Sequence, residues 1–182
     1  MTSGTIANPI DDVQSSRTRA GGTLRTLDGL LDLGHAELVR MYEGATLPAL
    51  ASISGDLRGR MLAVPALPDR VTALPRAWAR GATFPWRGKS FVAGGAERGE
   101  GINRVVSDRL KLFRFETFVG PSRHDGRPAI QLDYDHRGNP GLIRRVEDEI
   151  REVRPGLFLG QAWLRLRGKK HFVLWFALEQ RA

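Results

Sequence analysis

Two stretches decide the fold: KLFRFETFVG, residues 111–120, and PAIQLDYD, residues 128–135, joined by the turn PSRHDGR. Alternation in the first places Phe113, Phe115 and Thr117 on one side, and Arg114, Glu116 and Phe118 on the other. That is the period of a half-buried β-strand. The second repeats it, with Ile130, Leu132 and Tyr134 against Gln131, Asp133 and Asp135. His124-Asp125-Gly126 between them is a turn signal, Gly126 being suited to positive φ. Two adjacent strands thus carry one oily face and one face that mixes charge with polar groups.

Outward from this hairpin, the same pattern recurs. Strands are expected from Ser54 to Val64, in KSFVA (89–93), in GINRVVS (101–107), and in LFLGQAWLRL and HFVLWFALEQ near the C-terminus. The last pair is joined by a basic turn, Arg167–Lys170, containing Gly168. The Gly-rich GGAERGEG lacks GxxxxGK[ST] and a following helix, so it reads as a hairpin and not as a phosphate loop. Between the strands, Leu142, Val146, Ile150 and Val153 sit at i, i+4, i+8 and i+11. This spacing predicts an amphipathic helix over 140–153, N-capped by Asn139 with Pro140 at its first position and stopped by Arg154-Pro155-Gly156. Leu27 to Met41 has roughly helical spacing and predicts one or two short helices, with His35 on a helix surface or in a cap.

Composition bounds the rest. A chain of 182 residues suits one well-buried domain plus a tail. Residues 1–22, poor in apolar side chains, are expected to be a disordered tail, and 23–182 a single domain. The prolines at 65, 68, 75 and 85 disfavour a long helix there, so that segment reads as a long connection. No run of 18 apolar residues and no signal-like N-terminus is visible, so a cytosolic location is the default. With no cysteine, thiolate metal sites and Cys nucleophiles are excluded. The net charge of +8 invites a nucleic-acid reading. The cations are scattered, however, without a basic stripe or an RNP-like motif, which disfavours one. No GxSxG, HExxH or other paired-His motif exists, and no metal site is expected.

The expectation for a site comes from the second face of the late strands. There Arg114, Gln131, Gln161, Trp163 and Trp175 combine aromatic walls with polar groups, the mixture of a binding cavity. If the sheet curls into a barrel, these residues are expected to point inward, with Arg114 anchoring an acidic group, Trp163 and Trp175 as walls, and Gln131 and Gln161 orienting a ligand. The apolar faces would then pack against the helix at 140–153 and the N-terminal helices. The opposite assignment stays open, because in a small barrel the apolar face fills the interior equally well. An enzymatic alternative, a cyclase, isomerase or hydrolase of a small secondary metabolite, would use Asp133, Glu116 or Tyr134 as acid or base.

The early GDLRGR (55–60), the middle LDYD (132–135), IRRVEDEIREVRPGLFLGQAW (143–163) and the closing FVLWFALEQ (172–180) together resemble bacterial lipocalin-like domains of unknown function, including the GXWXG type. Leu57 stands where that motif carries Trp. The resemblance implies an antiparallel calycin-like barrel with a late helix; together with the N-terminal helical segment read from spacing, the expected fold is mainly β. Its interior would suit a small hydrophobic or amphipathic molecule, with or without an acidic group. It implies no known reaction, cofactor or oligomeric state.

Overall fold

In the computed structural model, which describes residues 26–62, 86–92, 95–107 and 109–180, eight antiparallel strands form a closed barrel in simple sequence order. They are β1 (Gly55–Met61), β2 (Trp86–Val92), β3 (Arg98–Val105), β4 (Lys111–Pro121), β5 (Pro128–Asp133), β6 (Val146–Arg154), β7 (Leu157–Leu166) and β8 (Lys169–Gln180). Pairing of β1 with β8, from Leu57↔Gln180 to Met61↔Phe176, closes the ring and leaves no open sheet edge. The expected mainly β, antiparallel barrel is therefore what the chain adopts, a form consistent with a lipocalin-like barrel. The tail at 1–22 and most of the proline-rich connection lie outside the described residues.

Most of the interior is apolar. Leu57, Phe91, Phe115, Leu132, Ile150 and Phe176 belong to one buried cluster, which Leu50 and Ile53 join from the 3-10 turn Leu50–Ser52 ahead of β1. Space for the large rings is made by glycines paired with them on neighbouring strands. A Cβ on Gly101 would lie 2.3 Å from Phe115 Cζ, and one on Gly160 the same distance from Phe176 Cζ and 2.8 Å from Ile150 Cγ2. Large side chains thus sit over Cβ-less positions, the way a narrow barrel is filled without voids.

A second layer covers part of the outside. The 3-10 turn Asp28–Asp32 and the helix α1 (His35–Gly44) pack Leu27, Leu30, Leu38 and Tyr42 onto Leu157, Leu159, Trp175 and Ala177 of β7 and β8. The His35 ring, in the first turn of α1, accepts a hydrogen bond at Nδ1 from Trp175 Nε1 at 2.9 Å. Because both faces of β7 and β8 are covered there, their sequences read as nearly continuous apolar runs.

The helix predicted over 140–153 does not form. A 3-10 turn at Ile143–Arg145 leads directly into β6. Val146 and Ile150, four apart, share a face in a strand as well as in a helix, so that spacing alone did not discriminate. The main chain of β6 pairs with β5 from Ile130↔Ile150 to Asp133↔Glu147, and with β7 along its whole length, so the barrel closes only if this segment is extended. Asn139, expected as a helix cap, instead clamps the β5–β6 connection to β4. Its Oδ1 accepts from Arg114 N at 3.1 Å, and its Nδ2 donates to Arg114 O at 2.7 Å and Tyr134 O at 2.9 Å.

The charges that a helix would have given to water are buried on the outer face of β6. The β4–β5 turn folds back over them: Ser122 Oγ donates to Glu149 Oε1 at 2.8 Å, and the Arg123 guanidinium bridges Glu147 and Glu149. Arg151, 1 % exposed, donates to Asp125 at 2.6 and 2.8 Å and stacks over the Tyr42 ring at 4.5 Å. These hydrogen bonds from Arg151 hold the Asp125 carboxyl well below the usual aspartate range. Asp125 therefore contributes stability that is complete above its unfolded value of about 3.9 and is lost as pH falls below it.

Two outcomes are expected in urea unfolding. Gly160→Val should destabilise by about 2 kcal/mol or more, through overpacking against Phe176. Arg151→Ala should cost about 2–3 kcal/mol, because it removes a buried guanidinium that bonds Asp125 and the carbonyls of Tyr42, Arg127 and Pro128. The variant should also flatten the fall in stability between about pH 5 and pH 2.

Candidate functional site

Inside the barrel, three strands and the residue that follows a fourth bring polar or ionisable side chains to a common point. They are Lys89 from β2, Asn103 from β3, Asp148 from β6, and Tyr134 from just beyond β5. Lys89 is 2 % exposed. Its ammonium donates to Asn103 Oδ1 at 2.9 Å, to Asp148 Oδ2 at 2.9 Å and, in a short contact, to the Tyr134 hydroxyl. The hydroxyl donates to Asp148 Oδ2 at 3.1 Å and accepts from Asn103 Nδ2 at 3.0 Å, while Trp86 Nε1 donates to Asn103 Oδ1 at 3.1 Å. Four aromatic rings, Trp86, Phe115, Tyr134 and Phe176, surround the Lys89 nitrogen with centroids 5.1–5.4 Å away.

Full burial pushes the Lys89 pKa below the ordinary lysine value, against the opposing pull of Asp148. Burial, reinforced by the Asp148 carboxylate, pushes the Tyr134 hydroxyl well above its ordinary value, so it stays protonated. The three ammonium hydrogens are all used, and the hydroxyl both donates and accepts. One atom is left over: Asp148 Oδ1 is buried and has no hydrogen-bond partner among the described residues.

Beside this network lies a cavity of about 40 Å³ bordered by Lys89, Asn103, Tyr134 and Asp148 together with Met61, Trp86, Phe113, Ala162, Leu174 and Phe176. At roughly 10–15 Å³ per water-sized sphere, it takes about three to four non-hydrogen atoms, far fewer than a drug-sized pocket. Its rim shows backbone strain. Phe113 has φ 63°, where the β3–β4 register shifts between Ile102 and Asn103. Positive φ is costly for a bulky residue, and a bulge of this kind re-aims a side chain. The Asn139 clamp on Arg114 holds the following residue in place.

The residues expected to line a ligand site are elsewhere. Arg114 is exposed, and Glu116 is exposed and paired with Arg98 at 3.3 Å. Gln131, Gln161 and Trp175 are brought together, since the register runs Gln131↔Glu149↔Gln161↔Trp175 across β5 to β8. That row lies on the outside of the barrel: Gln131 accepts from Arg123, and Trp175 is covered by α1. Trp163 packs edge-on against Phe172, also outside the interior. Asp133 accepts the Asp135 backbone N–H at 2.9 Å in a local turn. The inward assignment of this face is thus reversed, and the apolar face fills the barrel. The reason is space: an eight-strand barrel encloses little volume, and Phe, Leu and Ile over glycines fill it without a desolvation cost.

Of the expected catalytic residues, Tyr134 alone borders the cavity. Lys89, Asn103 and Asp148 were not anticipated, and neither were the Trp86 and Phe176 walls. A signal existed for two of them. Lys89 interrupts the apolar side of KSF, and Asp148 stands between Val146 and Ile150 at strand spacing; in each case a charged residue occupies an inward position.

No family model matches the chain, and no curated protein matches it. Among solved structures, the chain is similar to a crystal structure of a protein from Thermomonospora curvata, at 16 % identity and a TM-score of 0.51. That alignment covers 94 % of this chain and 99 % of the other. At this identity the likeness concerns the fold. Among the described residues there is no cluster of metal-ligating side chains, and no helix is long and apolar enough to cross a membrane.

Removing one partner of the interior pair should be costly. Lys89→Met is expected to lose about 3–5 kcal/mol by leaving Asp148 buried and uncompensated, and the double variant Lys89→Met/Asp148→Leu should recover much of that loss. Urea unfolding of the two single variants and the double variant measures the coupling directly.

Proposed function

We propose that this barrel binds a small amphipathic molecule in its interior cavity. The molecule's polar end meets Asp148, Tyr134 and Lys89, and its short apolar part lies against Trp86, Phe113 and Phe176. The observation that carries this reading is the unpartnered Asp148 Oδ1 in a site bordered by a cavity. A buried carboxylate oxygen without a donor is costly, and a ligand hydroxyl or amide N–H would relieve that cost. The lipocalin-like fold supports the same reading, since barrels of this size hold side chains and at most one small ligand. The interior cation, Lys89, is already matched by Asp148, so the geometry favours a neutral hydrogen-bond donor over the acidic group that Arg114 was expected to anchor.

A second reading, catalysis in the same cavity, is favoured by one observation: a protonated phenol, an amine and a carboxylate lie within hydrogen-bond reach of one another. In this reading Tyr134, expected as acid or base, acts as the acid, and Asp148 takes the place of Asp133 and Glu116.

Binding is tested with short alcohols and amides by ligand-detected NMR. Ala162→Leu fills the cavity from β7 without touching the polar network, and it should abolish binding while the protein stays folded. Arg114→Ala should leave affinity within about twofold, because its side chain is outside the barrel. Binding that survives Ala162→Leu and is lost in Arg114→Ala would overturn this site.

A further inference from the structure

Resting on the cavity reading above, we propose that Lys89 is a nucleophilic amine that forms an imine with a short aldehyde or ketone bound beside it. The chain holds twenty-four arginines and only four lysines, at 89, 111, 169 and 170. Among the described residues, the other buried cations, Arg104 and Arg151, are arginines. The cation that faces the interior cavity is the lysine, the one type that can lose a proton and attack carbon. It is held by an acid–base partner on one side and walled by rings on the others, and the space beside it admits a molecule of a few non-hydrogen atoms. Those are the conditions under which a lysine amine becomes reactive: burial that disfavours the ammonium, and a base within hydrogen-bond distance to take the proton.

The step balances with the groups present. The Lys89 ammonium passes one proton to the Asp148 carboxylate across their 2.9 Å hydrogen bond. The freed nitrogen lone pair forms a bond to the carbonyl carbon, while the Tyr134 hydroxyl and the now protonated Asp148 donate hydrogen bonds to the carbonyl oxygen. Proton transfer from nitrogen to that oxygen gives a carbinolamine. Its C–O bond then breaks, the oxygen takes the proton held by Asp148 and leaves as water, and the nitrogen lone pair closes the C=N bond. The product iminium keeps one positive charge opposite the Asp148 carboxylate, so the charge pairing of the resting site is restored. No oxidant or reductant is consumed. Phe115 and Phe176, over Gly101 and Gly160, keep the rest of the interior filled, which confines the carbonyl compound to the Lys89 side.

The test uses the full chain with propanal and sodium cyanoborohydride, which reduces an imine to a stable propyl amine, followed by intact mass and peptide mapping. One propyl group is expected at Lys89, formed at least about tenfold faster than at Lys111, Lys169 or Lys170. Lys89→Arg should lose only that adduct, and Asp148→Asn should slow it while leaving the surface lysines unchanged. 1-Propanol, which cannot form an imine, separates the two ideas. If it binds in the cavity by NMR and no Lys89 adduct forms while the surface lysines react, the imine is overturned and the binding reading stands. Should neither 1-propanol nor propanal engage the cavity, both fail. An adduct at Lys89 that forms equally fast in Asp148→Asn would overturn the assigned role of the carboxylate.

Discussion

Closure of eight strands through the β1–β8 pairing is the constraint on which the remaining features depend. Once the ring is closed, β1 and β8 pair from Leu57↔Gln180 to Met61↔Phe176, and the interior is only wide enough for side chains. That width sets the large-over-none packing of Phe115 on Gly101 and Phe176 on Gly160, and it turns the apolar faces inward. It also makes any interior charge expensive. Lys89 and Asp148 are tolerated because each of the three ammonium hydrogens has an acceptor and the Trp86, Phe115 and Phe176 rings add electrostatic support.

The outer surface shows the same economy of charge by a different route. Glu147, Glu149 and Arg151 are buried outside the barrel wall because the β4–β5 turn and α1 lie over them and supply Ser122, Arg123, Asp125 and the Tyr42 ring. The two buried polar systems are separated by the thickness of one strand: Asp148 faces in, and its neighbours Glu147 and Glu149 face out. One strand therefore carries both the candidate site and the ties that hold the covering layer. An interior group on β6 is positioned from both sides, by Lys89 and Tyr134 within and by the Arg123 network without. Such support is what a site with defined geometry requires.

Much of the architecture was legible from residues. The hairpin at 111–135, the Gly126 turn, the Arg167-Gly168 turn and the closing strand pair all follow from period-two alternation bounded by turn chemistry, and Gly126 and Gly168 do adopt positive φ. The grouping of Gln131, Gln161 and Trp175 on one face was also legible, and the register places them in one row. Two things were not. The segment 142–153 has apolar residues four apart, a spacing common to both periods, and only its pairing with β5 and β7 makes it a strand. Which face of a sheet lies inside depends on curvature and on what covers the outside, and neither is encoded in alternation.

The candidate site shows the division most clearly. Local sequence determined that Tyr134 shares a face with Ile130 and Leu132, that β2 carries a lysine in an apolar run, and that Asp148 lies between Val146 and Ile150. It contained nothing to say that these three positions meet, since they come from strands separated by 45 and 59 residues along the chain. Only barrel closure brings them within hydrogen-bond distance, leaves Asp148 Oδ1 without a donor and places a small cavity beside it. Alternation along a strand is a local property of the backbone, whereas convergence across a barrel depends on strand order, register and curvature, and those are settled only when the whole sheet has closed.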